Sequence, residues 1–408
     1  MLWSRSIFSK NFFNLSLDQG INIVVALIIT PILFQRLGDE NFGLVNLALS
    51  IVVLLTIIVS YGYNLNGPIQ IINTSKIKDQ NLIINQILSL RLIISLLIFL
   101  LSIPFIIFFV DERLTKILIF SFFILLNESL NPLFYLQGKN KIFPQVLLNF
   151  FSKSIYIFLI INYVNNGDDA YLVNLFYGLS ISVIFTFFWI NYSVKNNFFI
   201  LLISINKLND RLRENFQLFL SSISTHFTIN SPLIILSFFT SSSELGRFTL
   251  AFKVAFVVRS IPVFFVQSGL QNASKIYNKS KTDYKNYLLK YFTYGLIITF
   301  LLAILMVFCS DIIIKFFASE NIQYSSNILS IMSFIPFLAM LNFQNIIHML
   351  IKDYKALLNK ATFYTLIFMI LSSVILSYYF FGYGLAIALI LTEIFLFFAH
   401  SILLKNVK

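Results

Sequence analysis

Long apolar runs separated by short polar segments constrain this chain more than any other feature. The runs predict twelve helices, because about 20 apolar residues in a helix cross the hydrocarbon core of a bilayer. The predicted spans are 13–35, 43–65, 86–109, 116–137, 144–164, 171–193, 215–239, 246–268, 288–310, 325–350, 361–380 and 384–404. The first run is too long for a cleaved signal peptide, so we expect it to remain in the membrane. The predicted fold class is therefore an all-α, polytopic membrane protein.

The charged residues are too few to cover a soluble globule. Of the 408 residues, 58% are hydrophobic and 11% are charged, whereas a soluble domain carries about 25% charged residues. No block of mixed, charged composition has the size of a domain, which excludes an appended soluble catalytic domain. The sequence also lacks a Gly-x-x-x-x-Gly-Lys-Ser/Thr motif, so we expect no ATP bound through a P-loop.

Cysteine and histidine are too sparse in the sequence to suggest a metal site. Cys309 is the single cysteine, and the three histidines are His226, His348 and His400. One cysteine excludes an intrachain disulfide, and histidines so far apart give no support to a zinc site. We therefore predict no cofactor and no metal.

The basic residues are distributed unevenly along the chain. Of the 29 lysines and arginines, 20 lie in the tails and in the connections after even-numbered spans, and five lie in the other connections. The positive-inside rule then places both termini in the cytoplasm of a bacterial inner-membrane protein. The net charge of +12 orients the protein and does not indicate a nucleic-acid partner. Two basic connections, about 194–214 and 270–287, either bind anionic headgroups or a partner enzyme or are simply solvated.

The two halves of the chain share a pattern of turns and polar residues. The first half has Asn22, Pro31, the turn 37–43 and Ser60-Tyr61-Gly62, and the second has Asn230, Pro232, the turn 243–248 and Gln267-Ser268-Gly269. The copies are six predicted helices apart, which indicates parallel repeats about an axis along the membrane normal. We expect a six-helix lobe at 1–195, a cytoplasmic linker at 196–214 and a second six-helix lobe at 215–408. Two such lobes would enclose a central cavity and alternate its access by rocking.

Polar side chains recur along the first predicted span. Asn14, Asp18 and Asn22 are four residues apart, which places them in one stripe on a helix. A similar group in the span 116–137 consists of Asn127, Glu128 and Asn131. Each group either lines a wet cavity or holds a neighbouring helix.

Charged residues inside the predicted spans are further candidates, since a charge at membrane depth is costly and usually functional. The basic ones are Arg91, Lys153, Lys253 and Arg259, and the acidic ones are Asp18, Glu128 and Glu393. Lys253 and Arg259 either line a cavity or form a structural ion pair, for example with Asp18 or Glu128. Arg91 either lines a cavity or reaches the interface, and Lys153 is expected to line a cavity. Guanidinium and ammonium groups in a restricted cavity suit a phosphate or diphosphate.

The N-terminal half carries a motif in four parts. These are Gln19-x-x-Asn22, Pro31, Leu37-Gly38-x-x-x-Phe42-Gly43-Leu44 and Tyr61-Gly62-Tyr63-Asn64. The motif, with Leu245-Gly246-x-Phe248 opening the second half, resembles the Wzx-type O-antigen and polysaccharide flippases. These proteins form the polysaccharide-transporter branch of the multidrug/oligosaccharidyl-lipid/polysaccharide exporter superfamily. The resemblance covers essentially the whole chain.

The resemblance implies a flippase, not an enzyme, that moves undecaprenyl-diphosphate-linked oligosaccharide from the cytoplasmic to the periplasmic leaflet. The implied partners are this lipid-linked substrate, membrane lipids, and a polymerase and a chain-length regulator of the same pathway. The residues expected to bind diphosphate are Lys253, Arg259, Arg91 and Lys153. Those expected to bind sugar are Asn14, Asp18, Asn22, Asn127 and Asn131. The candidates for ion-gradient coupling are Asp18, Glu128 and Glu393, and the lipid tail is expected to stay in the bilayer.

Two other functions remain open from the sequence. A cation-coupled multidrug exporter of the same superfamily would be expected to have a net acidic cavity. A polysaccharide polymerase or membrane glycosyltransferase would be expected to have a large outer loop, whereas the predicted outer connections are all short.

Overall fold

The computed structural model describes residues 2–197, 205–277, 279–318 and 322–405. Every regular element in these ranges is a helix, which confirms the predicted all-α class. The chain forms two compact units, Met1–His226 and Phe227–Lys408.

The first unit is built from eight α-helices and the start of a ninth. They are α1 (Leu2–Ser60), α2 (Tyr63–Ile72), α3 (Ile77–Phe109), α4 (Glu112–Ser121), α5 (Phe123–Leu130), α6 (Leu133–Gly138), α7 (Phe143–Tyr163), α8 (Ala170–Asn196) and α9 (Ile205–Asn230). A short 3-10 helix, Gly167–Asp169, precedes α8. The border between the units lies inside α9, and the predicted lobe boundaries stay a prediction.

The second unit begins with the end of α9. It continues with α10 (Pro232–Ser237), α11 (Ser242–Tyr277), α12 (Lys281–Phe308), α13 (Ser310–Phe317), α14 (Ile322–Met332), α15 (Ile335–Leu341), α16 (Phe343–Ile351) and α17 (Lys355–Lys405). Within it, α11 packs against α12, α14, α15 and α16, and α10 packs against α17.

Two of the helices are each long enough to hold two predicted spans, and each has a backbone break. The break in α1 is at Gly38, whose φ of 74° and ψ of 169° are accessible essentially to glycine alone. The break in α17 is at Phe381, with a φ of 52°. Both breaks fall between neighbouring predicted spans. Within the described ranges, nine helical segments are long and apolar enough to cross a membrane, so the count of twelve and the repeat stay predictions.

The predicted span 116–137 is not one continuous helix. Phe122 separates α4 from α5, and Asn131 with Pro132 separates α5 from α6. Asn131 has an extended conformation, as expected for a residue that precedes proline. The break between α5 and α6 therefore places Asn131 at a helix end.

The first unit packs its helices around α1 and α8. Helix α1 packs against α4, α5 and α7, and α8 packs against the same three helices. The interior includes the buried Tyr63, Phe134 and Trp189, whereas Leu101 and Phe108 on α3 are exposed. Exposed apolar side chains on such long helices are the surface expected against lipid.

Candidate functional site

A polar cavity, open on one side, lies in the first unit between α1, α5, α7 and α8. Its volume is about 250 Å³. The polar residues that line it are Asp18, Asn22, Thr56, Asn127, Glu128, Asn131, Gln145, Asn149, Lys153 and Tyr177. Thr56 and Asp18 lie on opposite sides of the Gly38 break, so both halves of α1 contribute to the wall. The structure thus brings together six of the residues predicted from sequence.

The carboxylate of Asp18 is held by α7. Asn149 Nδ2 donates to Asp18 Oδ1 at 2.9 Å and to the backbone oxygen of Asp18 at 3.2 Å. The same amide lies 3.4 Å from Asn22 Oδ1. Two members of the predicted stripe therefore share one partner on the neighbouring helix, and both also face the cavity.

Lys153 supplies the cationic group of the cavity wall. Its side chain is 4% exposed, and its Nζ lies 3.8 Å from the centre of the Tyr177 ring. The ammonium is also near enough to Asp18 for electrostatic attraction. A desolvated cation over a ring gains about 2 kcal/mol from such a contact.

Glu128 lies at the edge of the cavity and interacts with Arg91, which is buried behind the cavity wall. Asn64 Nδ2 donates to Glu128 Oε1 at 2.9 Å, and Arg91 Nη2 donates to Asn64 Oδ1 at 2.8 Å. Arg91 Nη2 is 3.8 Å from Glu128 Oε1, and the arginine side chain is fully buried. Arg91 therefore orients Glu128 from behind the cavity wall and does not reach the membrane interface.

Two amides in the cavity wall have hydrogen-bonding capacity left over. Asn127 Oδ1 accepts from Ser182 Oγ at 2.8 Å, while Asn127 Nδ2 has no hydrogen-bond partner among the described residues. Gln145 Oε1 is likewise buried without a partner there. A buried polar atom without a partner costs about 1–3 kcal/mol, so each side chain would gain from a rotation that gives this atom a partner.

The other predicted asparagines have structural contacts or lie elsewhere. Asn131 Oδ1 accepts from the backbone N–H of Leu133 at 3.0 Å and so caps the start of α6. Asn14 is buried one turn before Asp18 and is not part of the cavity lining.

The second unit contains an ion pair between two of the predicted residues. Arg259 Nε on α11 lies 2.6 Å from Glu393 Oε1 on α17. The side chain of Glu393 is 8% exposed, and its Oε2 has no hydrogen-bond partner among the described residues. The sequence analysis gave Asp18 and Glu128 as examples of a partner for Arg259, whereas the structure pairs Arg259 with Glu393. Lys253 lies six residues before Arg259 on the same helix and is half-buried.

Sequence reasoning missed several residues of the cavity. Gln145 and Asn149 lie eight and four residues before Lys153, so the three form a stripe like the one found on α1. That spacing was a usable signal. Asn64 was part of the N-terminal motif, but nothing in the sequence indicated that it would connect Arg91 to Glu128.

Comparisons with known proteins match this chain to proteins of polysaccharide biosynthesis and transport. The family model described as "Polysaccharide biosynthesis protein" matches residues 8–270. A protein described as an O-antigen transporter in Shigella dysenteriae is 24% identical over 393 residues, which cover 94% of this chain and 97% of that protein. One so described in Escherichia coli (strain K12) is 25% identical over 257 residues, 59% of each chain. The chain therefore spans less than two thirds of the Escherichia coli protein.

Solved structures show the same fold. The lipid II flippase MurJ, in an inward closed conformation, matches with a TM-score of 0.74 and 17% identity over 96% of this chain and 87% of that one. An inward-facing multidrug resistance MATE family transporter of the MOP superfamily matches with a TM-score of 0.68 and 14% identity. The match covers 97% of this chain and 99% of that transporter. These proteins are named as transporters or flippases, which agrees with the prediction of a non-enzymatic transporter.

The apolar helical segments and the shared fold identify a multi-pass membrane protein. The family model covers more than half of the sequence and begins ahead of the N-terminal motif. The chain therefore belongs to the polysaccharide biosynthesis protein family, which confirms the resemblance to polysaccharide flippases drawn from its motifs.

Proposed function

We propose that this protein is a flippase that moves an undecaprenyl-diphosphate-linked oligosaccharide from the cytoplasmic to the periplasmic leaflet. The observation that carries the proposal is the cavity of the first unit, where a buried ammonium and amides with unused hydrogen-bonding atoms lie together. The family and the relatives described as O-antigen transporters support a polysaccharide as the cargo. We place the protein in a bacterial inner membrane with both termini in the cytoplasm, since the basic connections favour that orientation.

The cavity offers separate groups for the two polar parts of such a substrate. Lys153 Nζ would attract the diphosphate, because charge-assisted hydrogen bonds are about twice as strong as neutral ones. Asn127 Nδ2 and Gln145 Oε1 are buried in the wall, so rotation of these side chains would let them bond sugar hydroxyl groups, each of which can both donate and accept. Asn22 and Asn131 border the same space.

Asp18 and Glu128 are the carboxylates through which an ion gradient could act. An ionised Asp18 competes with the substrate's phosphates for the ammonium of Lys153. When a proton or another cation neutralises Asp18, that competition ends, and Lys153 becomes available to the substrate. Ion binding at one group is thereby coupled to substrate binding at another.

The second unit would add basic groups to the substrate pathway. The ion pair with Glu393 engages Arg259 through Nε, and a guanidinium has four further N–H donors that could bind a phosphate. Lys253, on the same helix, is the second candidate. Glu393 is the third carboxylate proposed for coupling, since opening the pair would free both groups.

A multidrug exporter is the second candidate function. It is favoured by the two carboxylates in the cavity wall and by the fold shared with the MATE family transporter. Against it, the buried Arg91 balances Glu128, and Lys153 balances Asp18. Each carboxylate therefore already has a cation nearby, which weakens its attraction for a cationic drug.

Reconstitution of the purified protein into vesicles distinguishes these functions. A lectin outside the vesicles would report lipid-linked oligosaccharide that arrives from the inner leaflet, and a fluorescent cationic dye would report drug export. The flippase proposal expects lectin binding above that of protein-free vesicles, and loss of that signal in Lys153→Met. Dye export without movement of the lipid-linked oligosaccharide would overturn it.

A further inference from the structure

An apolar groove runs along the outer face of the first unit between α1 and α7. Its volume is about 580 Å³. Phe13 and Val24 on α1 and Phe150 on α7 line it, and these side chains are 61%, 54% and 52% exposed. The groove is thus an exposed apolar slot between two packed helices.

Lys153 borders both this groove and the polar cavity. At 100° per residue, Leu17, Val24 and Ile28 lie on one face of α1, and Asp18 and Asn22 lie on the adjacent face. Helix α1 therefore separates an apolar compartment from a polar one. Lys153, on α7, lies where the two compartments meet.

We propose that the groove holds the isoprenoid chain of the lipid-linked substrate while Lys153 holds its diphosphate. The inference rests on the flippase function proposed above and specifies where the lipid portion binds. Such a substrate carries an apolar chain, an anionic diphosphate and a polar sugar in that order. The groove, Lys153 and the cavity follow the same order across the first unit.

The depth of Lys153 favours this lipid over an ordinary phospholipid. Lys153 is ten residues from either end of α7 (Phe143–Tyr163). At 1.5 Å per residue it lies about 15 Å from each helix end. A phospholipid keeps its phosphate at the membrane interface, so its headgroup does not reach this ammonium. A lipid whose headgroup is drawn into the protein brings its phosphates to that depth.

The groove would position the isoprenoid chain of the substrate, and the hydrophobic effect would not drive the binding of that chain. An isoprenoid chain that leaves the bilayer for an apolar groove gains van der Waals packing but no transfer from water. We therefore expect the packing in the groove to raise the affinity for long-chain substrates about tenfold over that for short-chain substrates. Filling the groove should remove this preference.

Gly20 is the position from which a larger side chain can be introduced into the groove. It lines the groove, and a Cβ built on it meets nothing within 4 Å. The test compares Gly20→Trp with Gly20→Ala, and with Leu101→Trp on the exposed face of α3, where the side chain is 75% exposed. Each purified protein in nanodiscs is titrated with an undecaprenyl-diphosphate oligosaccharide and with the same oligosaccharide diphosphate on a short, water-soluble alkyl chain.

We expect Gly20→Trp to bind the long-chain ligand about tenfold more weakly than the unaltered protein, with the short-chain affinity unchanged. Gly20→Ala and Leu101→Trp should keep the chain-length preference. A Gly20→Trp protein that keeps it overturns the groove assignment, as does equal competition by a phospholipid such as phosphatidylglycerol. If the unaltered protein binds neither ligand, the flippase function itself fails, which is a different outcome from failure of the groove alone.

Discussion

Asn149 Nδ2 lies 2.9 Å from Asp18 Oδ1, so an amide on α7 fixes a carboxylate on α1 at the wall of the cavity. The amide can donate to the carboxylate in its charged form, and it can still donate to the carbonyl oxygen once the acid is protonated. The contact therefore holds Asp18 in place in both protonation states. Only the charge that Lys153 experiences changes between them.

Asp18→Asn should uncouple transport from the ion gradient. The amide has nearly the shape of the protonated acid, so Lys153 is freed permanently and substrate binding persists. We expect downhill movement of the lipid-linked oligosaccharide to continue and its stimulation by an imposed gradient to disappear, measured in vesicles. Asp168→Asn, in the exposed turn before α8, is the control and should keep the stimulation. Normal gradient stimulation in Asp18→Asn would exclude Asp18 as the coupling group.

Lys153→Met should weaken binding of the diphosphate lipid about 10- to 100-fold. The loss of one hydrogen bond to a charged group costs about 1.5–3 kcal/mol, and each 1.4 kcal/mol is a factor of ten. Methionine keeps the apolar stem and removes the charge. Binding is measured by titration of the purified protein with undecaprenyl diphosphate.

Lys116→Met is the matched control for that experiment. Lys116 Nζ lies 3.7 Å from the centre of the Tyr171 ring, nearly the same cation–π geometry as that of Lys153 over Tyr177, but its side chain, in the middle of α4, is exposed. Its loss should leave the affinity unchanged. Equal losses in both variants would show that the effect comes from general positive charge and not from the cavity.

The sequence predicted the class of fold well because the length of an apolar run is a local property. It also predicted the polar stripe of α1, since a spacing of four residues places side chains on one helix face whatever the tertiary structure. The pairing of charged side chains was harder to predict, because it depends on how the helices pack. Arg259 and Glu393 are 134 residues apart, and Arg91 reaches Glu128 through Asn64, which the sequence did not indicate.

Membrane orientation can be tested with single cysteines, since Cys309 is the single native cysteine. In a Cys309→Ser background, Lys141→Cys and Asp168→Cys each place a thiol at an exposed position between helices. The positive-inside rule places residue 141 in the cytoplasm and residue 168 in the periplasm. We therefore expect a membrane-impermeant maleimide added to spheroplasts to label the cysteine at 168 and not the one at 141. The reverse pattern would invert the proposed topology.

Gly38→Ala should lower the free energy of unfolding by about 1–3 kcal/mol, since the backbone there has a conformation that is costly for any residue with a Cβ. Steric overlap is not the cause, because a Cβ at Gly38 meets nothing within 4 Å. Gly20→Ala is the control: it lies in a helical stretch of the same α1, where alanine stabilises by up to about 1 kcal/mol. Thermal unfolding of both variants in detergent measures the difference. Equal midpoints would show that the backbone conformation at Gly38 does not require glycine.

Arg259→Gln separates a structural role of the Arg259–Glu393 pair from a role in substrate binding. Removing the arginine leaves a buried carboxylate without its partner, which costs about 3–5 kcal/mol, so the single variant should unfold at a lower temperature. The double variant Arg259→Gln/Glu393→Gln replaces the pair by two neutral amides and should recover most of that stability.

If Arg259 also binds a phosphate of the substrate, the stable double variant should still transport at least about tenfold more slowly than Glu393→Gln alone. Adding Lys253→Gln should slow transport further, since Lys253 lies on the same helix. Transport is measured by the lectin assay in vesicles, and stability by thermal unfolding of the same preparations. A double variant with restored stability and the transport rate of Glu393→Gln would confine Arg259 to holding α11 against α17.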